Sequence, residues 1–220
     1  MRASRRAISR SKANYHLCTT ANVVRALVQA GYERDDRVVR ALDWLVEEQK
    51  EDGGWHCFDS SKGTLDCWEP LSAYSVLPKS RQSRRIKRSI ERGAEFYLDR
   101  KLSKEGSGKY APWFRYHYPI HYYYDLLVGL DVLTSLGYDG DDRMKDALSL
   151  LRKKRRPDGT WPLDALNPDL PPDLPETEYS MSPPFEPFPA IPFGLEKVGS
   201  PSKMVTLRAL RVLERVGELS

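Results

Sequence analysis

Cysteine is scarce in this chain: three residues among 220, an odd number. That argues against a disulfide framework and leaves a thiol or metal role open. Long apolar runs are missing as well, and no stretch approaches the ~18 residues a membrane span needs. The first residues carry Arg2, Arg5, Arg6 and Arg10 but lack the apolar core of a secretory leader. Residues 1–12 therefore read as a basic flexible tail, with the cytoplasm as the expected location. No segment sustains apolar–polar alternation, which excludes a substantial sheet. The net charge of +4 is too small to imply a nucleic-acid partner by itself. What remains is ordinary globular composition, 40% hydrophobic and 30% charged, and enough chain for one good-sized core. It is expected as a single domain over 13–220 with a proline-rich loop at 168–192.

The chain also repeats itself. Shifted by 106 positions, Leu27 meets Leu133, Gly31-Tyr32 meets Gly137-Tyr138, and Asp35-Asp36-Arg37 meets Asp141-Asp142-Arg143. Ala41-Leu42, Leu45, Asp52-Gly53 and Trp55 then meet Ala147-Leu148, Leu151, Asp158-Gly159 and Trp161, making twelve ungapped identities. Half that shift finds a worn middle copy, with Ala94, Leu98 and Gly106 answering Ala41, Leu45 and Gly53. A partial fourth copy closes the chain, where Leu207-Arg208-Ala209-Leu210 echoes Val24-Arg25-Ala26-Leu27. Periods of this size mark stacked repeats.

Each copy reads as two helices. Val38, Val39, Leu42, Leu45 and Val46 recur at helical spacing. Asp35 or Asp36 suits a cap, Gly31 suits the close of the preceding helix, and Ser200-Pro201 suits the start of the last one. Helices are predicted near 18–30, 36–50, 69–77, 84–102, 122–136, 142–155 and 201–216.

The copies carry Gln49-Lys50-Glu51-Asp52-Gly53-Gly54-Trp55 and Arg155-Arg156-Pro157-Asp158-Gly159-Thr160-Trp161. The first resembles the QW motif of squalene and oxidosqualene cyclases; the second departs from it at Arg155. Nearly everything after Lys12 is similar to prokaryotic prenyltransferase/squalene-oxidase repeat proteins. Cys18, Trp55-His56-Cys57, Leu136-Gly137-Tyr138 and Pro201-Ser202-Lys203 carry that likeness. The resemblance implies an all-α fold of α-hairpin repeats forming a partial or small α/α toroid, as in terpenoid cyclases and protein prenyltransferases. Physically, the glycines permit a sharp turn and the tryptophan packs back over helix ends.

Size bears on function. Four inner helices packed ~9–10 Å apart have axes only ~7 Å from a common centre. Subtracting a helix radius of ~5 Å leaves almost no cavity. The chain alone is therefore expected as an open arc, a plugged small bundle, or half of a homo-oligomeric ring. Phe185, Phe188, Ile191 and Phe193 of the proline-rich loop suit the open side, a partner, or peripheral contact with a membrane.

Several constellations bear on chemistry. Asp139-Gly140-Asp141-Asp142 matches the D-x-D-D proton donor of class II cyclases. The repeat nevertheless aligns it with Glu33-Arg34-Asp35-Asp36, a helix-capping run. Cys18, Cys57 and Cys67 are expected at one end of the stack, where helix N-termini favour thiolates. With His56, His16, His121 or Asp66 they offer donors for a zinc ion. Prenyltransferases and lanthionine cyclases, which share the resembled fold, hold zinc at that end with different ligand motifs. The alternative is three simply buried thiols.

The run from Trp113 to Asp125 is dense in aromatics. Trp113, Tyr116, Tyr122 and Tyr123 suit an apolar ligand through their ring faces, and Asp125 or His121 suits proton transfer. A packed inter-helix corner explains the same residues. Basic clusters at 79–92 and 152–156 read first as solvated outer faces. They lack the interleaved aromatics of a single-strand binder, so no nucleic-acid partner is expected. The leading expectation is a cyclase- or prenyltransferase-like protein for an apolar isoprenoid-type ligand, with a cysteine-held zinc. The rival is a non-catalytic interaction scaffold.

Overall fold

The computed structural model describes residues 16–104, 110–120, 123–166 and 196–219. The basic tail and the proline-rich loop lie outside them. Among the described residues run helices α1 (Leu17–Gln29), α2 (Asp36–Glu47), α3 (Glu69–Ser75), α4 (Arg84–Asp99), α5 (Leu126–Ser135), α6 (Lys145–Lys153) and α7 (Lys203–Arg215). The only sheet among them pairs β1 (Trp161–Pro162) with β2 (Pro201–Ser202), antiparallel. The protein is thus all-α in class. No described helix is long and apolar enough to cross a membrane.

The helices form two layers. α1 packs on α2, α3 on α4 and α5 on α6. Across the pairs, α1 meets α3, α3 meets α5 and α5 meets α7. On the other side α2 meets α4, and α4 meets the 3-10 turn Asp142–Met144 that opens α6. Burial separates the layers. Six of the seven residues of α3 and eight of the ten of α5 are buried, so both are enclosed on all sides. α2 buries only Val38, Leu42 and Leu45, one stripe of an amphipathic helix.

The repeat is visible atom by atom. After α1, Gly31 takes φ +87° and Tyr32 N donates to Leu27 O; after α5, Gly137 takes φ +93° and Tyr138 N donates to Leu133 O. This is the Schellman closure, and it needs the left-handed backbone that glycine adopts without strain. Asp35 accepts from Arg37 N, and Asp141 accepts from Arg143 N, both at 2.9 Å. Arg143 binds Asp141, Glu95 and Asp99 together, tying α4 to the start of α6. The Asp139–Asp142 run is therefore placed as a helix start, as its repeat partner is.

The tryptophan corners match as well. Trp55 Nε1 donates to Leu45 O at 2.8 Å, and Trp161 Nε1 donates to Leu151 O at 2.7 Å; both rings are fully buried. Gln49 explains the motif's glutamine. Its Nε2 donates to Gly53 O and to Ser89 O, binding the corner to α4. In the second corner Arg155 instead lays its guanidinium over the Trp161 ring, 5.6 Å from the centroid. At the other end of the odd-helix layer, Asp131 of α5 binds Arg208 Nε at 3.3 Å and Arg215 Nη1 at 2.7 Å, both from α7.

Candidate functional site

The three cysteines converge. Cys18 lies in the first turn of α1, Cys57 follows the first tryptophan corner, and Cys67 sits just before α3. Cys57 Sγ and Cys67 Sγ are 3.1 Å apart, and Cys18 lies within electrostatic reach of Cys57. All three are free thiols. The 3.1 Å gap is well beyond the ~2.05 Å of a disulfide.

Local chain geometry produces this meeting. Trp55 and Thr64 form an antiparallel bridge, with Thr64 N donating to Trp55 O at 2.9 Å. Gly54 and Gly63 face each other so closely that a Cβ on Gly63 would stand 2.5 Å from Gly54 Cα. Asp52 fixes the neck by accepting from Gly54 N and Gly63 N. The loop so closed returns Cys57 onto Cys67.

The thiols are not in the state expected at a helix start. The hydrogen bond with Cys57, then burial, pushes the Cys18 thiol far up. For Cys57 the bond with Cys18 pulls down, but the bond with Cys67 and burial outweigh it, and the thiol is pushed up to about 12. Sulfurs gathered at a largely buried site cannot all be charged, and this outweighs the helix dipole for Cys18 and Cys57. Among the described residues, no three His, Cys, Asp or Glu side chains stand as a ready-made metal cage.

Beside the sulfurs lies a cleft of about 230 Å³ lined by His56, Cys57, Phe58, Thr64, Asp66, Cys67 and Tyr123. His56 Nδ1 accepts from Phe58 N at 3.0 Å. Nδ1 is thereby occupied, which puts the proton of the neutral ring on Nε2 and makes that nitrogen a hydrogen-bond donor in this arrangement. Asp66 accepts from Trp113 Nε1 at 2.7 Å.

Sequence reasoning missed Glu69. It opens α3, is fully buried, and neither carboxylate oxygen has a partner among the described residues. Burial raises its carboxyl well above the usual range, and Cys18 and Asp66 raise it further. The available signal was an acid opening a helix whose remaining positions are almost all apolar or small.

Of the aromatic candidates, Tyr123 lines the cleft, while Trp113 and Tyr116 are buried in the core. Trp113 stands edge-on to Tyr124, which is also 5.8 Å from Tyr97, so these rings pack on one another. His121 and Tyr122 lie outside the described residues. Asp125 is fully buried and pairs with His117, a residue sequence reasoning passed over. Its Oδ2 meets His117 Nδ1 at 2.6 Å, and its Oδ1 caps α5 by accepting from Val128 N at 2.8 Å. Comparisons with family models, curated proteins and solved structures give no match to this chain.

Proposed function

We propose that this is a cyclase- and prenyltransferase-like α/α-toroid protein whose working site is the cysteine rim. In this reading Cys18, Cys57 and Cys67 hold a zinc ion, and the adjoining cleft takes part of an apolar, isoprenoid-type molecule. The observation that carries it is the Cys57–Cys67 sulfur contact at 3.1 Å, with Cys18 of a third segment within electrostatic reach of Cys57. Sulfurs on a tetrahedral zinc stand ~3.8 Å apart, given Zn–S of ~2.3 Å. The pair at 3.1 Å needs only a small opening. A cation would also stabilise the thiolate forms that this largely buried site otherwise disfavours.

Glu69 is the fourth donor in this reading, because it is a buried carboxyl group beside Cys18 without a hydrogen-bond partner among the described residues. Zinc held by the three sulfurs would act as a Lewis acid toward a thiol or oxygen from the cleft that displaces Glu69 or adds as a fifth ligand. The chain's own residues do the rest. His56 presents an N–H to the cleft, and Tyr123 and Phe58 give it apolar walls. At about 230 Å³ the cleft is below the ~300–1,000 Å³ of pockets that enclose a whole ligand. It therefore suits one end of a chain-like molecule.

Cobalt titration of reduced protein tests the metal. The expected result is a sulfur-to-cobalt charge-transfer band saturating at about one ion per chain, abolished by Cys57→Ser. No band, together with no zinc in purified protein, would overturn the reading.

A second reading is supported by an apolar groove on α1 and α2. Thr19, Val23, Val24, Leu27, Val38 and Ala41 line about 300 Å³ there, and Val23 is 54% exposed. In that reading the chain is a half-ring or scaffold completed by a second copy. It expects a dimer in light scattering that Val23→Glu dissociates. A monomer at micromolar concentration removes it.

A further inference from the structure

A charge imbalance lies at the far end of the odd-helix layer, away from the cysteines. Shifts of 106 and 77 relate Arg25 to Asp131 and Asp131 to Arg208, so one repeat position carries Arg, Asp and Arg on α1, α5 and α7. These three side chains come together. Arg208 Nε binds Asp131 Oδ2 at 3.3 Å, and Arg25 lies within electrostatic reach of Arg208, Asp131 and Arg211. Arg215 joins from the last turn of α7, donating to Asp131 Oδ1, Asp131 O and Thr134 Oγ1.

The guanidinium groups of Arg25, Arg208 and Arg215 thus surround one carboxylate, with Arg211 within electrostatic reach of Arg25. A second carboxylate, Asp125, also feels Arg208, but it is held by His117 and the start of α5. Three positive charges around Asp131 leave two in excess. The site is also sheltered, since the Arg208 side chain is 13% exposed and that of Asp131 18%. Two guanidinium nitrogens, Arg25 Nε and Arg208 Nη1, are shut off from solvent and have no hydrogen-bond partner among the described residues. Leaving charged N–H donors buried and unpaired is strongly unfavourable, so such groups normally find an acceptor.

We infer that Arg25, Arg208 and the neighbouring Arg211 bind an oxyanion of the phosphate class between the first and last helices of the layer. The oxyanion supplies acceptors to the two unpaired nitrogens and balances the excess charge, with Asp131 and Arg215 fixing Arg208 in place. Guanidinium groups suit this because their planar N–H forks match phosphate oxygens. The ligand also has an architectural effect. Arg25 of α1 is within repelling distance of Arg208 and Arg211 of α7 here, and an oxyanion between them turns repulsion into a bridge. This inference does not depend on the cysteine rim.

Inorganic phosphate is the first probe, compared with sodium chloride at matched ionic strength. Phosphate is expected to raise the melting temperature saturably, while chloride leaves it nearly unchanged. Arg25→Gln, at a partly exposed position that tolerates polar replacement, should weaken phosphate binding about tenfold or more. Line broadening of the phosphorus resonance by unmodified protein gives a readout that does not depend on any variant folding. Glycerol phosphate distinguishes the sources. Tighter binding than inorganic phosphate marks the headgroup of a larger ligand, and weaker binding marks a free structural ion. Equal responses to chloride and phosphate, or no broadening at millimolar phosphate, would overturn the inference.

Discussion

Two residues show most clearly how individual side chains hold this fold. Gly93 of α4 lies against the first tryptophan corner, and a Cβ there would stand 2.8 Å from both Leu71 Cδ2 and the Trp55 ring. Gly93→Ala gains ~1 kcal/mol of helix propensity but overpacks a filled core, which costs about 1–3 kcal/mol. The expected outcome is a net loss, read as a lower midpoint in urea. Asp125 works by charge. Burial pushes its carboxyl up, but the charge and hydrogen bond of His117, then Arg208 and Val128 N, hold it below the usual carboxylate range. A depressed folded-state value means stability that is present above the unfolded value and lost as pH falls through the folded one. Asp125→Asn should therefore cost about 3–5 kcal/mol at neutral pH, as for a broken buried pair. The difference from wild type should narrow below pH ~4, where the unfolded carboxylate also takes up a proton. A constant difference from pH 3 to 7 would contradict this.

At the scale of the element, helix starts and corners carry the specificity. Ser202 accepts from Val205 N at 3.0 Å and also contacts Glu196, fixing where α7 begins. Ser202→Ala is expected to lose about 1 kcal/mol, with faster amide exchange confined to the first turn of α7. Trp161→Ala should cost about 3–5 kcal/mol, because the ring is fully buried and its N–H closes the corner. Helix positions were largely legible in the sequence, since caps, closing glycines and apolar stripes agreed. The helix expected over 84–102 ends at Asp99 because Lys101 and Leu102 adopt positive φ, a glycine-like closure that no glycine announces. The helix expected from 122 begins at Leu126, because Asp125 is spent as its cap. That expected over 142–155 opens with a 3-10 turn before α6.

For the whole molecule, repetition was the readable feature and convergence was not. Identical glycines and tryptophans announce equivalent corners, and the cysteines could be assigned to one end of the stack. Their convergence depends on Gly54 and Gly63 lying face to face, which the eight loop residues between them do not reveal. Glu69 was hidden because an acid at a helix start normally faces water. The arginine site was hidden because one repeat position carries opposite charges in different copies. Asp131 is the carboxylate joining α5 to α7 there. Asp131→Asn should loosen α7 before the rest of the fold, seen as selective loss of exchange protection over 203–215 while α3 stays protected. Simultaneous loss in both helices would count against this division of stability.

The paired corners also make the chain a natural optical reporter. Trp55 and Trp161 are equally dry and donate to equivalent carbonyls ten residues upstream, so their emission should be nearly the same in colour and move to the red together on wetting. Trp55→Phe leaves only the later corner to be followed, and Trp161→Phe only the earlier, over a constant contribution from Trp44, Trp68 and Trp113. Comparing the two melting traces distinguishes a chain that opens from one end from one that opens all at once.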